Sequence, residues 1–334
     1  MKRTLLLICT LLCANVLLAQ EQLAVLRHND STSVFYGQSA FAQAYTAATH
    51  GDIITLSDGI FKVPRESNTI YGVIRKGITV RGNGAVADSA RRSTGTYFME
   101  ELRVYSLGDS LQFSAEGIYF DELDVSSSYD IKLTRCYIDN FQTYGGVQAT
   151  NCIINQGASG DYSGLDGYSS RYNTYINCVL YTPVLTLPYY AICNNCIMTG
   201  VKDDSNDPYQ YNNCVIIKKG TSSDTILNSA VNYSVLIGFT GSDSPASSGN
   251  VVMSLSDVFE NWDGESLPTD LETYVLKSSV SDSIQSIDGT EVGIFGGFMP
   301  FDWRPSYSII KRFNVANRTT ADGKLSVDIE VISE

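Results

Sequence analysis

One short phrase, a cysteine followed by two or more apolar residues, recurs through the middle of this 334-residue chain. Its cysteines lie 16, 26, 18 and 18 residues apart, at Cys136, Cys152, Cys178, Cys196 and Cys214. Ser234, 20 residues after Cys214, stands in the same phrase in place of cysteine. Repeats of this length are typical of solenoids, in which each repeat forms one coil of a continuous stack. The chain is therefore expected to form stacked coils rather than several separate domains.

The residues around each cysteine define the coil. The residue two positions later is always apolar, as in Ile138, Ile154, Leu180, Met198, Ile216 and Leu236. An apolar residue at every second position predicts a strand with one buried face. The residue before the cysteine is asparagine in Asn151, Asn177, Asn195 and Asn213. Asparagine tolerates left-handed backbone angles, which predicts a sharp corner, and stacked corner amides are expected to bond to one another as a ladder.

A strand, a corner and a second strand in each repeat predict an all-β chain folded as a parallel β-helix. In its asparagine corners and stacked inward residues the chain resembles the secreted right-handed parallel β-helix proteins of the pectin-lyase-like superfamily, including those of Bacteroidetes-type bacteria. The segment 38–49 predicts a short helix. Together with Asp52–Leu56 and the Gly-Ile-Thr-Val-Arg-Gly-Asn-Gly run at 77–84, it resembles the opening of such proteins, in which an N-terminal helix caps the first coil.

Three regions are expected along the chain. Residues 1–19 read as a signal peptide, because Lys2 and Arg3 precede an apolar run that ends at Ala19. Residues 20–300 are predicted to form the capped β-helix. Residues 301–334 are predicted to form a strand-containing tail that packs on it. The leader predicts export to the periplasm, the outer surface or the medium.

The net charge limits the classes of binding partner, and the positions of the cysteines predict whether their thiols are free. The net charge of −13 argues against nucleic acid and anionic membranes as partners, and we expect a monomer without membrane insertion. Six of the eight cysteines remain after the leader. In an exported protein six cysteines would ordinarily suggest disulfides, but five of them fall in one inward column. Free, buried thiols are therefore expected, and the Cys193-x-x-Cys196 pair is interpreted as structural.

The motifs of the resembled enzymes are not found. Polysaccharide lyases of that superfamily use calcium-binding carboxylates with an arginine or lysine base, and its glycoside hydrolases use clustered aspartates with a histidine. The two histidines, His28 and His50, flank the predicted cap helix and are interpreted as structural. Whether the chain is an enzyme therefore stays open, and no cofactor is implied apart from calcium.

Acidic and aromatic side chains in predicted turns are the candidate site. Aspartates follow the cysteine column at a similar offset in several coils, as Asp124, Asp161, Asp203, Asp204, Asp224 and Asp243. Asp203 and Asp204 are the candidate Ca²⁺ ligands, since calcium prefers several oxygen ligands. In the long segment 157–170 and just after it, Asp161, Asp166 and Arg171 are the candidate catalytic residues, and Tyr162, Tyr168 and Tyr172 are the candidate sugar-stacking residues. The alternative is that these are ordinary solvated turn residues.

Two functions fit these observations. One is a secreted protein that binds, or also cleaves, an extended polysaccharide along its coils. The alternative is a non-catalytic surface, adhesion or structural module.

Period two also predicts an apolar stripe on the outside of the coils, formed by Tyr137, Ile153, Val179, Ile197, Val215 and Val235. With coils about 4.8 Å apart, the stripe would be roughly 25 Å long, more than a monomer usually leaves bare. Its predicted cover is the tail 301–334, where Leu325, Val327, Ile329 and Val331 alternate. A second protomer or the long loop is the alternative cover.

Overall fold

The structure is a computed structural model. It describes residues 22–89, 93–105, 111–126, 131–143, 146–159, 173–181, 185–186, 191–202, 209–219, 229–240, 249–264, 271–304, 309–315 and 327–332. The predicted leader lies outside these residues.

Two long sheets run along the coils, and most of their strand pairs are parallel. The 11-stranded sheet has the order β2 (Ser31–Tyr36), β1 (Leu23–His28), β3 (Ile53–Leu56), β6 (Thr79–Arg81), β9 (Ser114–Glu116), β11 (Ile131–Thr134), β13 (Val147–Thr150), β15 (Asn173–Ile176), β18 (Ala191–Asn194), β21 (Gln210–Asn212) and β23 (Ala230–Asn232). Only its first two pairs, β2 with β1 and β1 with β3, are antiparallel.

The 12-stranded sheet has a main path and a short branch. Its path is β25 (Val251–Met253), β24 (Val235–Ile237), β22 (Val215–Ile217), β19 (Ile197–Thr199), β16 (Val179–Leu180), β14 (Ile153–Ser159), β12 (Tyr137–Thr143), β10 (Tyr119–Ser126), β7 (Thr96–Phe98) and β4 (Gly59–Ile60). The branch joins β5 (Gly72–Ile74) to β8 (Leu102–Tyr105), and β8 to the second half of β10. The predicted parallel β-helix is confirmed.

The remaining elements are short. β17 (Leu185–Thr186) pairs with β20 (Val201–Lys202), and β26 (Ile309–Val315) pairs antiparallel with β27 (Val327–Ile332). The described residues also form the helices α1 (Ala40–Ala47), α2 (Leu255–Val258) and α3 (Ser278–Ser283) and a 3₁₀ turn at Leu271–Tyr274. None of the helices in the described ranges is long and apolar enough to cross a membrane.

The cysteine column points into the coils, as predicted. All six cysteines of the described ranges are free and fully buried: Cys136, Cys152, Cys178, Cys193, Cys196 and Cys214. Each thiol of the column donates to the carbonyl two residues earlier at 3.2–3.4 Å, for example Cys214 Sγ to Asn212 O at 3.2 Å. Ser234 Oγ makes the same bond to Asn232 O at 2.9 Å. Serine can therefore stand in the place of cysteine, because its side chain is also small and donates the same hydrogen bond to the corner backbone.

The corners have the left-handed backbone that the asparagines predicted. The φ angles lie between 49° and 56° at Asn151, Asn177, Asn195 and Asn213, and Arg135 and Tyr233 share the conformation. The amide ladder, however, lies one residue earlier than predicted. Asn212 Nδ2 donates to Asn194 Oδ1 at 3.0 Å, and Asn232 Nδ2 donates to Asn212 Oδ1 at 3.1 Å. The corner amides of Asn151, Asn177, Asn195 and Asn213 point outward and bond elsewhere.

The N-terminal end is closed by α1 and the β1–β2 hairpin. Phe41 of α1 stacks on Phe98 of the coil with ring centroids 4.8 Å apart. Lys76 Nζ donates to the carbonyls of Tyr45 and Ala48 at 2.6 and 2.7 Å, so it holds the C-terminal end of α1. His28 and His50 form hydrogen bonds beside this cap, in agreement with their structural interpretation.

The outward apolar stripe is present and buried. Ile153, Val179, Ile197, Val215 and Val235 are 0% exposed, and they form a second core with side chains from residues 255–264 and 271–303, which we call the cover. The cover therefore lies mainly before the segment that was predicted to provide it. Its backbone lies directly on the stripe, since a Cβ on Gly293 would be 3.4 Å from Val215. Packing of the tail on the coils stays a prediction.

The outward corner amides hold this cover. Asn177 Nδ2 donates to the carbonyls of Ile294 and Gly296 at 2.8 and 2.7 Å. Asn151 and Asn195 donate to cover carbonyls at 3.2 and 3.4 Å, and Asn213 Oδ1 accepts from the Ile287 amide at 3.0 Å. The corner side chains thus form hydrogen bonds with backbone groups of the cover. In the predicted ladder they would have bonded to one another instead.

Candidate functional site

A row of polar side chains lies on the outside of the second sheet, in the second halves of β10, β12 and β14. Phe120 and Leu123 of β10 both point into the core although they are three residues apart, so the strand bends between them. Leu102, Leu123 and Phe141 stack in register and point inward. The residues on either side of them must therefore point outward. They form what we call the polar face: Glu101, Arg103, Glu122, Asp124, Asn140, Gln142 and Gln156.

The polar face consists of two columns. Glu122, Asn140 and Gln156 pair in register on successive coils, and all three are exposed. Arg103 and Asp124 pair in the second column, which Gln142 continues. Because adjacent strands lie about 4.8 Å apart, each column presents a regularly spaced series of polar groups along the coil axis.

Arg103 is held at one end of this face. Its Nε donates to Glu101 and lies 3.6 Å from Asp124 Oδ2. Its guanidinium carbon is 3.9 Å from the centroid of the Tyr71 ring, within cation–π distance. The hydroxyl of Tyr105 donates to that of Tyr71 at 3.3 Å. The arginine is thereby fixed between carboxylates and an aromatic ring.

A second arginine extends this end of the face. The Arg75 guanidinium carbon lies 4.3 Å from the centroid of the Tyr105 ring, and its Nε donates to Glu66 Oε1 at 2.8 Å. The two arginines and four nearby carboxylates, Glu66, Glu101, Glu122 and Asp124, leave this end with a net negative charge.

The carboxylates of the polar face have different surroundings. Although Glu122 is exposed overall, neighbouring side chains exclude part of the solvent from its carboxyl group, which raises its pKa, and the charge of Glu101 raises the pKa further. Asp124 is only 6% exposed and lies beside the Arg103 guanidinium. One carboxyl is therefore shifted towards the protonated form, while its neighbour two residues along the same strand has a cationic partner. A carboxyl group with a raised pKa can act as a general acid.

The sequence-predicted site residues lie outside the described part of the chain. Asp161, Tyr162, Asp166, Tyr168, Arg171 and Tyr172 fall in the segment 160–172, which joins β14 to β15, and Asp203 and Asp204 fall in 203–208. Their roles stay predictions. Asp124 was expected in a solvated turn, but it lies inside β10 and is buried. No group of three or more His, Cys, Asp or Glu side chains that could hold a metal occurs among the described residues.

Sequence reasoning missed the polar face although a signal was present. The phrase Glu101-Leu-Arg-Val104 recurs as Glu122-Leu-Asp-Val125, 21 residues later. Each copy places two apolar side chains inward and two charged ones outward. The cysteine repeat covers only the first residues of each strand in the second sheet. Glu122 and Asp124 lie in the second half of β10, beyond the bend, and so fall outside the repeat.

Comparison with known proteins assigns no family. The sequence matches no protein-family model, and a search of curated proteins finds no relative. The fold assignment therefore rests on the strand pairing described above, and the likeness to pectin-lyase-like proteins remains a resemblance.

Proposed function

We propose that this is an exported protein that binds an extended, uncharged polysaccharide along the polar face. The observation that carries the proposal is the pair of polar columns that run from coil to coil with a constant spacing. The parallel β-helix fold is itself often found in carbohydrate-related proteins.

The chemistry of the face suits sugar hydroxyls. Asn140, Gln142 and Gln156 supply amide groups that both donate and accept, and Glu101 and Glu122 supply acceptors. Tyr71 and Tyr105 add aromatic rings at one end. The surplus of carboxylates disfavours polymers of uronic acids, because like charges would be brought together on binding.

Hydrolysis of the bound glycan is a second candidate function, favoured by the raised pKa of Glu122. In that case Glu122 would donate a proton to the leaving oxygen while a water molecule attacks the sugar carbon and releases its own proton to solvent.

The binding proposal is tested on an array of polysaccharides, followed by affinity measurements with the bound glycan. The variants Asn140→Ala and Gln156→Ala remove exposed amides without touching the core. We expect each to lower affinity several-fold and the double variant to lower it at least about tenfold, a loss of about 1.4 kcal/mol. Lys132→Ala, an exposed change on the first sheet, is the matched control. Absence of binding to every glycan, or equal affinity of the double variant, would refute the proposal.

The hydrolysis candidate has a separate test. Release of reducing ends is measured with each bound glycan for the native protein and for Glu122→Gln. Turnover that disappears in Glu122→Gln while binding persists supports the catalytic role. If the native protein binds glycan and releases no reducing ends, the protein is a binding module.

A further inference from the structure

A second site lies on the other side of the bend in the same sheet. The rings of Tyr97, Tyr119 and Tyr137 follow one another on successive coils, with centroids 5.3 and 5.1 Å apart. With Ala85, Val86 and Ala87 they line an open cleft of about 290 Å³. We call this the tyrosine cleft.

The tyrosine cleft continues the outward stripe. Tyr137 pairs in register with Ile153, the first aliphatic member of the stripe. The cover packs on the aliphatic members, whereas Tyr97 and Tyr119 remain half-buried at the end of the same column. The column thus changes from aliphatic to aromatic side chains where it changes from buried to partly exposed.

The wall of the cleft is held in place by a buried carboxylate. Asp58, 8% exposed, accepts hydrogen bonds from Asn83 Nδ2 at 2.6 Å and from Ser93 Oγ at 2.7 Å. It also accepts from the amide of Gly95 at 3.2 Å. Both ends of the loop that carries residues 85–87 are therefore fixed, and the Tyr97 ring lies directly over Gly95, where a Cβ would be 2.9 Å from its hydroxyl.

The hydroxyl groups of the cleft are available to a ligand. Among the described residues, no hydrogen bond involves the hydroxyl of Tyr97, Tyr119 or Tyr137. Burial raises the pKa of all three, that of Tyr137 to about 12, and Asp58, Asp121 and Asp139 raise them further. The phenols are thus neutral donors at physiological pH, and the charges that act on them are carboxylates.

We propose that the tyrosine cleft binds an uncharged sugar residue. The apolar C–H face of the sugar would contact the tyrosine rings, and its hydroxyls would bond to the row of phenol groups. Asp121 and Asp139, two residues after Tyr119 and Tyr137, would repel a uronic acid. This site does not depend on the polar face, which lies beyond the bend and uses other residues.

Saturation-transfer NMR tests the proposal with cellohexaose, mannohexaose, xylohexaose and chitohexaose as neutral probes and hexagalacturonate as the anionic comparison. We expect at least one neutral probe to bind more tightly than hexagalacturonate. Tyr119→Ala should weaken that binding at least tenfold, and Tyr119→Phe, which keeps the ring, should weaken it less. Ala87→Trp fills the cleft from an exposed position and should also weaken it at least tenfold.

Controls separate this site from the polar face. Tyr36→Ala removes an exposed tyrosine of the N-terminal hairpin, and Lys132→Ala changes an exposed residue of the first sheet. Both variants should leave binding unchanged. The proposal is overturned if no neutral probe binds, if hexagalacturonate binds as tightly as the neutral probes, or if folded Ala87→Trp binds like the native protein. If Gln156→Ala loses binding while Ala87→Trp keeps it, the polar face is the glycan site and the cleft is excluded.

Discussion

Asn177 offers the sharpest test of how the cover is held on the coils. Its side chain is 1% exposed and donates to two cover carbonyls, those of Ile294 and Gly296, at 2.8 and 2.7 Å. Its φ of 49° lies in the left-handed region. Asn177→Gly removes the amide and keeps the backbone conformation accessible, whereas Asn177→Ala removes the amide and also disfavours that conformation.

The magnitudes follow from these contacts. Each buried hydrogen bond contributes about 1 kcal/mol net, and a buried carbonyl left without a partner costs about 1–3 kcal/mol. We therefore expect Asn177→Gly to lower the free energy of unfolding by about 2–4 kcal/mol, and Asn177→Ala by about 1–2 kcal/mol more. Asn195→Gly is the matched control. It has the same corner conformation, but its amide donates to Glu291 O at 3.4 Å, a marginal bond that should contribute under about 1 kcal/mol.

Urea unfolding followed by circular dichroism measures the stability, and binding of an apolar dye reports exposure of the stripe. If the cover is the weaker layer, Asn177→Gly should bind dye at urea concentrations where the coils still show strand structure, because stacked repeats can lose one part before the rest. Equal unfolding of Asn177→Gly and Asn195→Gly would refute the view that corner amides hold the cover.

Two further predictions concern the thiols and the cap. Burial raises the pKa of Cys136, Cys152, Cys178 and Cys196, so a thiol reagent should react with them slowly in the native protein. After denaturation the reagent should react with all six described cysteines. Intact disulfides in a non-reducing peptide map would contradict this prediction. Burial alone would raise the pKa of Asp52, but hydrogen bonds from the Thr49 amide and His28 outweigh it, so the pKa lies below its usual value. A lowered pKa means that this stabilisation is present above about pH 4 and is lost as the pH falls further, and acid unfolding of Asp52→Asn should lack that component.

The sequence alone determined the coil. Whether residue Cys152 points inward and Ile153 outward is set by the period of two within a strand, and the left-handed corner at Asn151 is set by what its neighbours and its own side chain allow. The same local rules predicted the cap helix and the outer stripe. These features could be read from the printed chain because each one depends on residues within a single repeat.

Only the tertiary structure decided what lies against the outside of the coils. The stripe required a cover, but any apolar segment satisfies that requirement. That residues 255–264 and 271–303 provide it depends on bonds such as Asn177 to Ile294, 117 residues apart. In the same way, Glu101 and Glu122 become neighbours, and Tyr97, Tyr119 and Tyr137 become one cleft, only after coils of unequal length have been brought into register. Burial direction is a local property of a strand, whereas contacts between coils depend on how the whole stack closes.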